Sequence, residues 1–330
     1  MKFLIVGYGS IGRRHYQNLV KLGFEDVIFL RTGKSTLDDA GSDTVHSVSD
    51  IEAAMDWQPD AAIIANPTAK HLDAALPLAR AGIDLLIEKP ISHNLEGANS
   101  LLEVIRTSQS KVMVGYQFRF HPSLEFIQNA LKEGLVGRPL SARAYWGEYL
   151  PDWHPWEDFR RSYSARQDLG GGVILTLSHP LDYLRWLFGS LESVTTEVAS
   201  KGCLGLDVED LAELIVKFTS GVVGSVLLNY CQKPPVHTLT ILGTEGSLQW
   251  NNQDGTVFYS SPENDLLKPV FTLEQFKRND MFIAELKHFL QVIRGEVHSA
   301  CDLEDGIGTL KLCLGALKSA ELGERVNLSD

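Results

Sequence analysis

Several large classes of protein are excluded by what this 330-residue chain has little of. No stretch reaches the roughly 18 consecutive apolar residues that a membrane-crossing helix needs. Cysteine is scarce. Its four residues, Cys203, Cys231, Cys301 and Cys313, form no C-x-x-C pair, so neither a zinc knuckle nor a redox dithiol is expected. All four are expected to be reduced and buried. Basic charge is also short: 30 Lys and Arg face 42 Asp and Glu, for a net charge of −12. That balance leaves no basic stripe to displace counterions from nucleic-acid phosphates. A small anionic substrate remains compatible, since it needs only a few local cations. Internal repeats and low-complexity tracts are absent. The apolar run Met1–Val6 is too short for a signal peptide and leads into a glycine-rich turn, so a soluble cytoplasmic protein is expected.

What is present is ordinary globular material, 44% apolar and 22% charged, in a length that suits two domains. The first third alternates short apolar strands with helix-period segments. Strands are expected at 2–6, 26–30, 61–65, 85–87 and 112–115, and helices at 11–22, 70–81 and 95–107. Such alternation implies parallel strands joined by right-handed crossovers, hence a doubly wound α/β sheet. Beyond about residue 120 the character changes. A helix (123–133) and a strand (140–146) precede an aromatic-rich loop (148–166). A glycine run then opens an amphipathic helix ending at Phe188. Strands at 194–199, 211–218, 222–230, 238–242 and 247–251 follow with short connections, which favours an antiparallel sheet. Helices near 281–294 and 303–322 end the pattern. We therefore expect a dinucleotide-binding domain over 1–119 and an α+β substrate and oligomerisation domain over 120–330, its last helix free to pack back on the first.

The glycine pattern Gly7-Tyr8-Gly9-Ser10-Ile11-Gly12 follows an apolar strand and opens a helix, the context in which such a pattern binds a dinucleotide. Gly7 permits the tight turn, Gly9 lets backbone approach a pyrophosphate, and Gly12 lets helix and strand pack closely. The N–H groups of Ser10 and Ile11 at the helix start would meet the phosphate charge. At the end of the second strand an acidic residue would hold ribose hydroxyls. Here the chain reads Arg31-Thr32-Gly33-Lys34-Ser35. Cations there pair with a 2′-phosphate, so NADP(H) is expected to be preferred over NAD(H). A solvated turn with incidental charges is the plain alternative.

Lys89, in Glu88-Lys89-Pro90, sits just past a buried strand and is held extended by the following proline. A lysine beside a cationic nicotinamide and partly desolvated suits proton exchange with an alcohol or carbonyl. A surface lysine before a turn proline is the ordinary reading of the same residues. Further on, Gly170-Gly171-Gly172 precedes a segment that would carry Thr176, His179 and Asp182 along one helical face at i, i+3 spacing, with Pro180 marking a kink or early break. His179 is a natural acid or base near neutrality. A satisfied core histidine is the plain alternative.

With these motifs together the chain resembles the Gfo/Idh/MocA family, the glucose–fructose oxidoreductase and inositol dehydrogenase group. The matching pieces are GYGSIG, ANPTAKH (65–71), EKP, GYQFRFHP (115–122), the block 170–189 and the ending SAELGERVNL, in the family's order along essentially the whole chain. The resemblance implies a nicotinamide (Rossmann) domain followed by an open-faced, mostly antiparallel sheet domain often used for oligomerisation. It implies that Lys89 and His179 work in proton transfer while hydride passes between a sugar or polyol carbon and the nicotinamide. It also implies that Asn66, Pro67, His71, Glu88 and Tyr116 or Gln117 lie along the cofactor, with Arg119 near the substrate. One departure stands out: many members carry an aspartate a turn before the histidine, where this chain has Thr176. A threonine holds no charge and is not an effective acid at neutral pH.

The segment 149–163 carries Trp153, Trp156, Arg160, Arg161 and Tyr163. Aromatic faces stack on sugar rings or bases, and arginines grip phosphate or carboxylate in bidentate fashion. A folded lid with an apolar anchor explains the composition equally. If functional, the segment favours a nucleotide sugar or sugar acid over a free polyol. The leading expectation is an NAD(P)-dependent sugar dehydrogenase or reductase, with no metal, acting as a homo-oligomer. A tightly bound-cofactor epimerase or lyase, and a non-catalytic cofactor- or sugar-binding regulator, are the alternatives.

Overall fold

The computed structural model describes residues 1–33, 45–199 and 202–328, with backbone alone at 264 and 265. Two compact units emerge. The first comprises Met1–Gln117, Arg161–Gly171 and Arg278–Leu310; the second comprises Phe118–Arg160, Gly172–Lys277 and Lys311–Asp330.

In the first unit the elements run β1 (Phe3–Val6), α1 (Ser10–Lys21), β2 (Val27–Leu30), β3 (Ser47–Val48), α2 (Ile51–Asp56), β4 (Ala61–Ile64), α3 (His71–Arg80), β5 (Asp84–Glu88), α4 (Leu95–Ser108) and β6 (Val112–Gly115). The strands form one parallel sheet in the order β3-β2-β1-β4-β5-β6. Every residue of β1, β4 and β6 is buried, as expected of strands covered on both faces. The order reverses direction between β1 and β4, and ligands of such sheets bind at that switch point, beyond the carboxyl ends of the strands. The helices start on local signals. The Asp50 side chain accepts from Ala53 N–H at 2.8 Å to cap α2, and Asn94 caps α4.

The second unit holds α5 (Pro122–Lys132), β7 (Pro139–Tyr149), α6 (Val173–Thr176), α7 (His179–Phe188), β8 (Leu191–Val198), β9 (Leu211–Phe218), β10 (Val223–Asn229), β11 (Cys231–Gly243), β12 (Ser247–Asn251), β13 (Val257–Ser261) and β14 (Asn264–Phe271). A short β15 (Val326–Asn327) completes a nine-stranded sheet in the order β14-β13-β12-β11-β7-β10-β9-β8-β15. Only β7 and β10 pair in parallel; the other pairs are antiparallel. Alternation is clean in β9, where Ala212, Leu214, Val216 and Phe218 are buried while Glu213 and Ile215 are exposed. One face therefore builds the core and the other is open, the pattern of a sheet covered on one side.

Two long helices close the chain, α8 (Arg278–Arg294) and α9 (Leu303–Leu322). Leu286, Phe289 and Leu290 of α8 join Phe3, Ile5, Leu19 and Phe29 in the core of the first unit, so residues far apart in the chain complete one side of the parallel sheet. Among the described residues no helix is long and apolar enough to cross a membrane.

Three expectations change. The helix anticipated after the glycine run, with a kink or early break marked at Pro180, is two helices, α6 and α7, separated at Leu177 and Ser178. Pro180 has no N–H to give the carbonyl of Thr176, so the hydrogen-bond ladder breaks there and Pro180 occupies the first turn of a new helix. Thr176 and His179 consequently do not share a continuous helical face. The strands β3, β13, β14 and β15 were not anticipated; β3, β14 and β15 are sheet edges, and β13 and β14 form a hairpin closed at Ser261 and Asn264. The cysteines are not all reduced. Cys203 and Cys231, 28 residues apart, form a disulfide with their Cα atoms 6.2 Å apart, while Cys301 and Cys313 are free and buried. Folding brings the pair together because Asp210 ties both ends: its carboxylate accepts from Leu204 N–H at 2.9 Å and its carbonyl from Tyr230 N–H at 2.8 Å.

Closing a loop of this length stabilises a folded chain by roughly 3–4 kcal/mol in the chain-entropy picture. We expect thiol titration of the denatured, unreduced protein to find two free thiols, and reductant to lower Tm. Finding four thiols without reductant would refute the crosslink.

Candidate active site

The first turn of the parallel sheet is built by steric demand. A Cβ on Gly12 would lie 2.2 Å from the carbonyl oxygen of Gly7, and one on Gly7, which adopts φ +102°, would lie 2.8 Å from the carbonyl oxygen of Ala65. Only glycine lets the backbone close at these two positions. Gly9 differs: a Cβ there would meet nothing within 4 Å, so its backbone faces open space. It is also the N-cap of α1, and no side chain caps that helix. The free N–H groups at Ser10 and Ile11 are the donors an anion requires. An open, uncapped, glycine-lined helix start fits a dinucleotide pyrophosphate.

Beside it, Tyr8 carries two guanidinium groups over its ring, Arg13 at 4.3 Å and Arg31 at 4.4 Å from the centroid. Arg31 also lines a cavity of about 430 Å³ with Gly33, Ser47, Val48, Ser49 and Ala53. Among the described residues this lining contains one cation and two hydroxyls, of which that of Ser49 donates to the adjoining Asp50 carboxylate at 3.1 Å. Thr32 is exposed beside the cavity, and Lys34 lies outside the described residues.

The turns after β4 and β5 are locked together by one histidine. His71 is buried, with Nδ1 3.0 Å from the carbonyl oxygen of Pro90 and Nε2 2.9 Å from that of Asn66. Burial, the largest effect, pulls its pKa down to about 4, so the ring is neutral at pH 7 and its single N–H serves one carbonyl at a time. The Asn66 amide donates to the carbonyl of Lys70 at 2.9 Å and follows directly on Ala65. Its Oδ1 and the Oε1 of Gln117 are buried with no hydrogen-bond partner among the described residues. Pro67 caps the short 3-10 turn that leads to His71.

Glu88 ends β5 almost fully buried, and its Oε1 lies 2.8 Å from His15 Nε2. Burial alone would raise its pKa. The hydrogen bond and charge shared with His15, then Lys89 and His71, outweigh burial and hold the carboxyl below its ordinary value. Lys89 is half-buried beside it. Tyr163, expected among the substrate contacts, belongs to this unit: burial and then the charge of Glu88 push its hydroxyl pKa up. Arg161 is exposed.

In the second unit His179 is buried at the start of α7, its ring 4.9 Å from Phe118 and 5.5 Å from Trp146. Trp146 stacks flat on His237 at 4.5 Å, extending an aromatic wall. Thr176 is buried at the end of α6. Arg119 is buried and makes a two-pronged pair with Asp182, Nε to Oδ2 at 2.9 Å and Nη2 to Oδ1 at 2.7 Å. Its guanidinium thus carries a structural task inside the unit, and removing either partner would strand a buried charge at a cost of about 3–5 kcal/mol.

Two family models match the chain. One, described as an oxidoreductase family with an NAD-binding Rossmann fold, covers residues 1–116; the other, a GFO/IDH/MocA C-terminal domain, covers residues 125–249. The chain belongs to the Gfo/Idh/MocA oxidoreductase family. Among its relatives is a 1,5-anhydro-D-fructose reductase from Ensifer adhaerens, 26% identical over 86% of this chain and 84% of its own. Two solved structures share the fold across the chain. Levoglucosan dehydrogenase in complex with NADH has a TM-score of 0.88 at 19% identity, covering 100% of this chain and 99% of its own. WlbA dehydrogenase from Bordetella pertussis, with NADH and UDP-GlcNAcA, has a TM-score of 0.82 at 21% identity, with the same coverage of 100% and 99%.

Within this Gfo/Idh/MocA member, three groups escaped sequence reasoning. His15 and Glu285 join Glu88 in a buried cluster of the first unit. The local hint was a histidine on the inner face of α1, beside Asn18 and Leu19, and a glutamate on the apolar face of α8. The third is Glu209. Its carbonyl accepts from Val173 N–H at 2.9 Å and its Oε1 from Ile174 N–H at 3.0 Å, so it anchors the start of α6. A Cβ on Gly172 would lie 2.5 Å from either Glu209 carboxylate oxygen, and the Gly172 carbonyl accepts from Tyr230 O–H at 3.0 Å. The third glycine of the run thus makes room for a carboxylate of its own unit. In the segment 149–163, Trp153 packs edge-on against Tyr230 at 5.7 Å, while Trp156 is 68% exposed. Arg160 is exposed, lying over Phe159 at 4.6 Å and 3.5 Å from Asp158.

Burial, the main cause, raises the Glu209 pKa to about 7. Unfolded, this carboxyl ionises near its ordinary value of 4.5. The folded state therefore holds the extra proton between those values, and stability falls as pH rises through that window. We expect Glu209→Gln, which keeps the acceptor for Ile174, to gain Tm relative to the wild type on going from pH 5 to pH 8. A constant difference across that range would contradict this.

Proposed function

We propose that this oxidoreductase is a sugar dehydrogenase or reductase that prefers NADP(H). The observation that carries the cofactor choice is the Arg31 guanidinium beside the glycine turn, set over the Tyr8 ring and lining a cavity with Ser47. A 2′-phosphate pairs with a guanidinium and accepts from hydroxyls, whereas two ribose hydroxyls need an acidic acceptor. Gly9, Ser10 and Ile11 would hold the pyrophosphate, with Asn66 and Gln117 offering polar groups further along and Pro67 following Asn66 along the cofactor. When bound, the nicotinamide supplies or accepts the hydride. The protein's own part is proton management and orientation. We assign proton exchange with the reacting oxygen to Lys89, whose ammonium is supported by the Glu88 charge, and a second proton-handling role to His179.

For the substrate we propose an anionic sugar, a nucleotide sugar or sugar acid, recognised by the guanidinium groups of Arg160 and Arg161 and by indole faces such as that of Trp153. The proposal draws on the aromatic and basic composition of this segment, and on UDP-GlcNAcA being a ligand of a protein with the same fold. Thr176 favours a second reading. With a hydroxyl where relatives of this kind often carry an aspartate, the protein would bind cofactor and sugar without turnover.

Parallel fluorescence titrations of the cofactor-stripped protein should give a lower Kd for NADPH than for NADH. Arg31→Ala should weaken NADPH binding by roughly tenfold, the loss of a charge-assisted contact of about 1.4 kcal/mol, and leave NADH unchanged. Equal affinities, or tighter NADH binding, would sink the NADP assignment. Lys89→Ala should lower turnover by about a hundredfold or more, the scale of a lost proton-transfer group, while cofactor Kd stays within twofold. Undiminished turnover would remove Lys89 from the reaction. Binding of free polyols to the cofactor-loaded protein in preference to nucleotide sugars and sugar acids would overturn the substrate class.

A further inference from the structure

Behind Lys89 the first unit encloses three titratable side chains almost wholly out of water. His15 and Glu285 are 0% exposed and Glu88 is 8% exposed. One nitrogen of His15 and one carboxyl oxygen each from Glu88 and Glu285 lie within 4.8 Å of one another. His15 Nε2 and Glu88 Oε1 are bonded at 2.8 Å, but neither oxygen of Glu285 and not His15 Nδ1 has a hydrogen-bond partner among the described residues. A buried carboxyl with neither oxygen satisfied is costly to retain, the more so as a glutamine or leucine would serve the packing of α8.

Two carboxylates this close in a dry interior do not both ionise at neutral pH; the pair keeps a proton there, and the two carboxyls titrate together. Glu88 has the support of His15, Lys89 and His71 and holds the negative charge. Glu285 has no such support, and burial followed by the like charge of Glu88 raises its pKa well above the ordinary value. The other charged neighbours do not alter the assignment. Arg14, which lies over Phe282, feels Arg278 and Glu88, and Tyr163 stays neutral beside Glu88. A bound cation would have to displace the bond already made between His15 and Glu88, whereas a proton displaces nothing.

We propose that Glu285, with Glu88 and His15, forms a buried proton-sharing triad behind Lys89, in which Glu285 is a positioning residue that sets how readily Lys89 takes up and releases a proton. While Glu285 is neutral, Lys89 feels the negative charge of Glu88. When Glu285 ionises at higher pH, a second negative charge favours the ammonium, so Lys89 gives up its proton over a broadened range. The role in turnover rests on the reading of Lys89 as the proton-exchanging group; the coupling itself does not.

The test reads Lys89 directly in the whole protein. Lysines are reductively methylated with ¹³C label, the Lys89 resonance is assigned by its loss in Lys89→Arg, and its chemical shift is followed from pH 6 to pH 11. The wild type should titrate in two steps. Glu285→Gln should titrate in one step, with an apparent pKa lower by about one unit, the scale of a coupled pair. In parallel, Glu285→Gln should gain Tm over the wild type as pH rises from 5 to 8, because the folded wild type alone holds a proton that its unfolded chain has released. One-step titration in the wild type, or titration unchanged in Glu285→Gln, overturns the triad. Should that variant not fold, the wild-type curve decides alone. Two-step titration together with full turnover in Lys89→Ala would uphold the triad and sink the catalytic reading instead.

Discussion

A carboxylate buried at the end of β5 must be balanced from within the protein, and much of the first unit is arranged around that requirement. Glu88 draws a histidine from α1, a lysine from its own turn and the His71 clamp from the neighbouring turn. Gly115, at the end of β6, leaves room: a Cβ there would already lie 3.4 Å from the Glu88 carboxyl group. The same carboxylate raises the pKa of Tyr163 and of Glu285, groups from segments more than seventy and nearly two hundred residues away. Charge buried at one strand end thus organises helix, turn and distant chain into one electrostatic neighbourhood.

The second unit solves a similar problem with the opposite economy of charge. Glu209 uses its backbone and side chain together to hold the start of α6, and it is neutral or ionised depending on the pH near 7. The glycine at 172 and the Tyr230 hydroxyl complete a bracket around the peptide that leads towards Thr176 and His179. Arg119 and Asp182 neutralise each other inside the same unit. His179 lies among aromatic faces, its ring beside those of Phe118 and Trp146.

Much of the architecture was legible because its signals are local. In the first unit apolar runs of four or five residues bounded by Gly, Asp and Pro gave strands within a residue or two, whereas the run 238–242 proved to be the end of the longer β11. The glycine spacing at 7, 9 and 12 located the open helix start. The glycine run at 170–172 was also visible, but its purpose was not: the Gly172 backbone makes room for the Glu209 carboxylate, thirty-seven residues away, a relation no spacing announces. The helix break at Leu177 follows from Pro180, whose missing N–H is a local fact, yet the i, i+3 row through it was drawn as if the ladder continued. The disulfide escaped for the plainest reason. Two cysteines 28 residues apart carry no mark of proximity until β11 and the loop before β9 are brought together through Asp210.

By itself the sequence determined the class of the two units, the nicotinamide family, the glycine cradle and the presence of Arg31 where an acid would select NAD. These depend on short-range sterics and on hydrophobic periodicity, which act between neighbours in the chain. Tertiary structure alone decided which polar groups share a buried space: His15 with Glu88 and Glu285, Arg119 with Asp182, Glu209 with Gly172. The reason is dielectric. In water each of these side chains would titrate near its ordinary value, and only their removal from water turns separation in ångströms into a shared proton or a fixed charge.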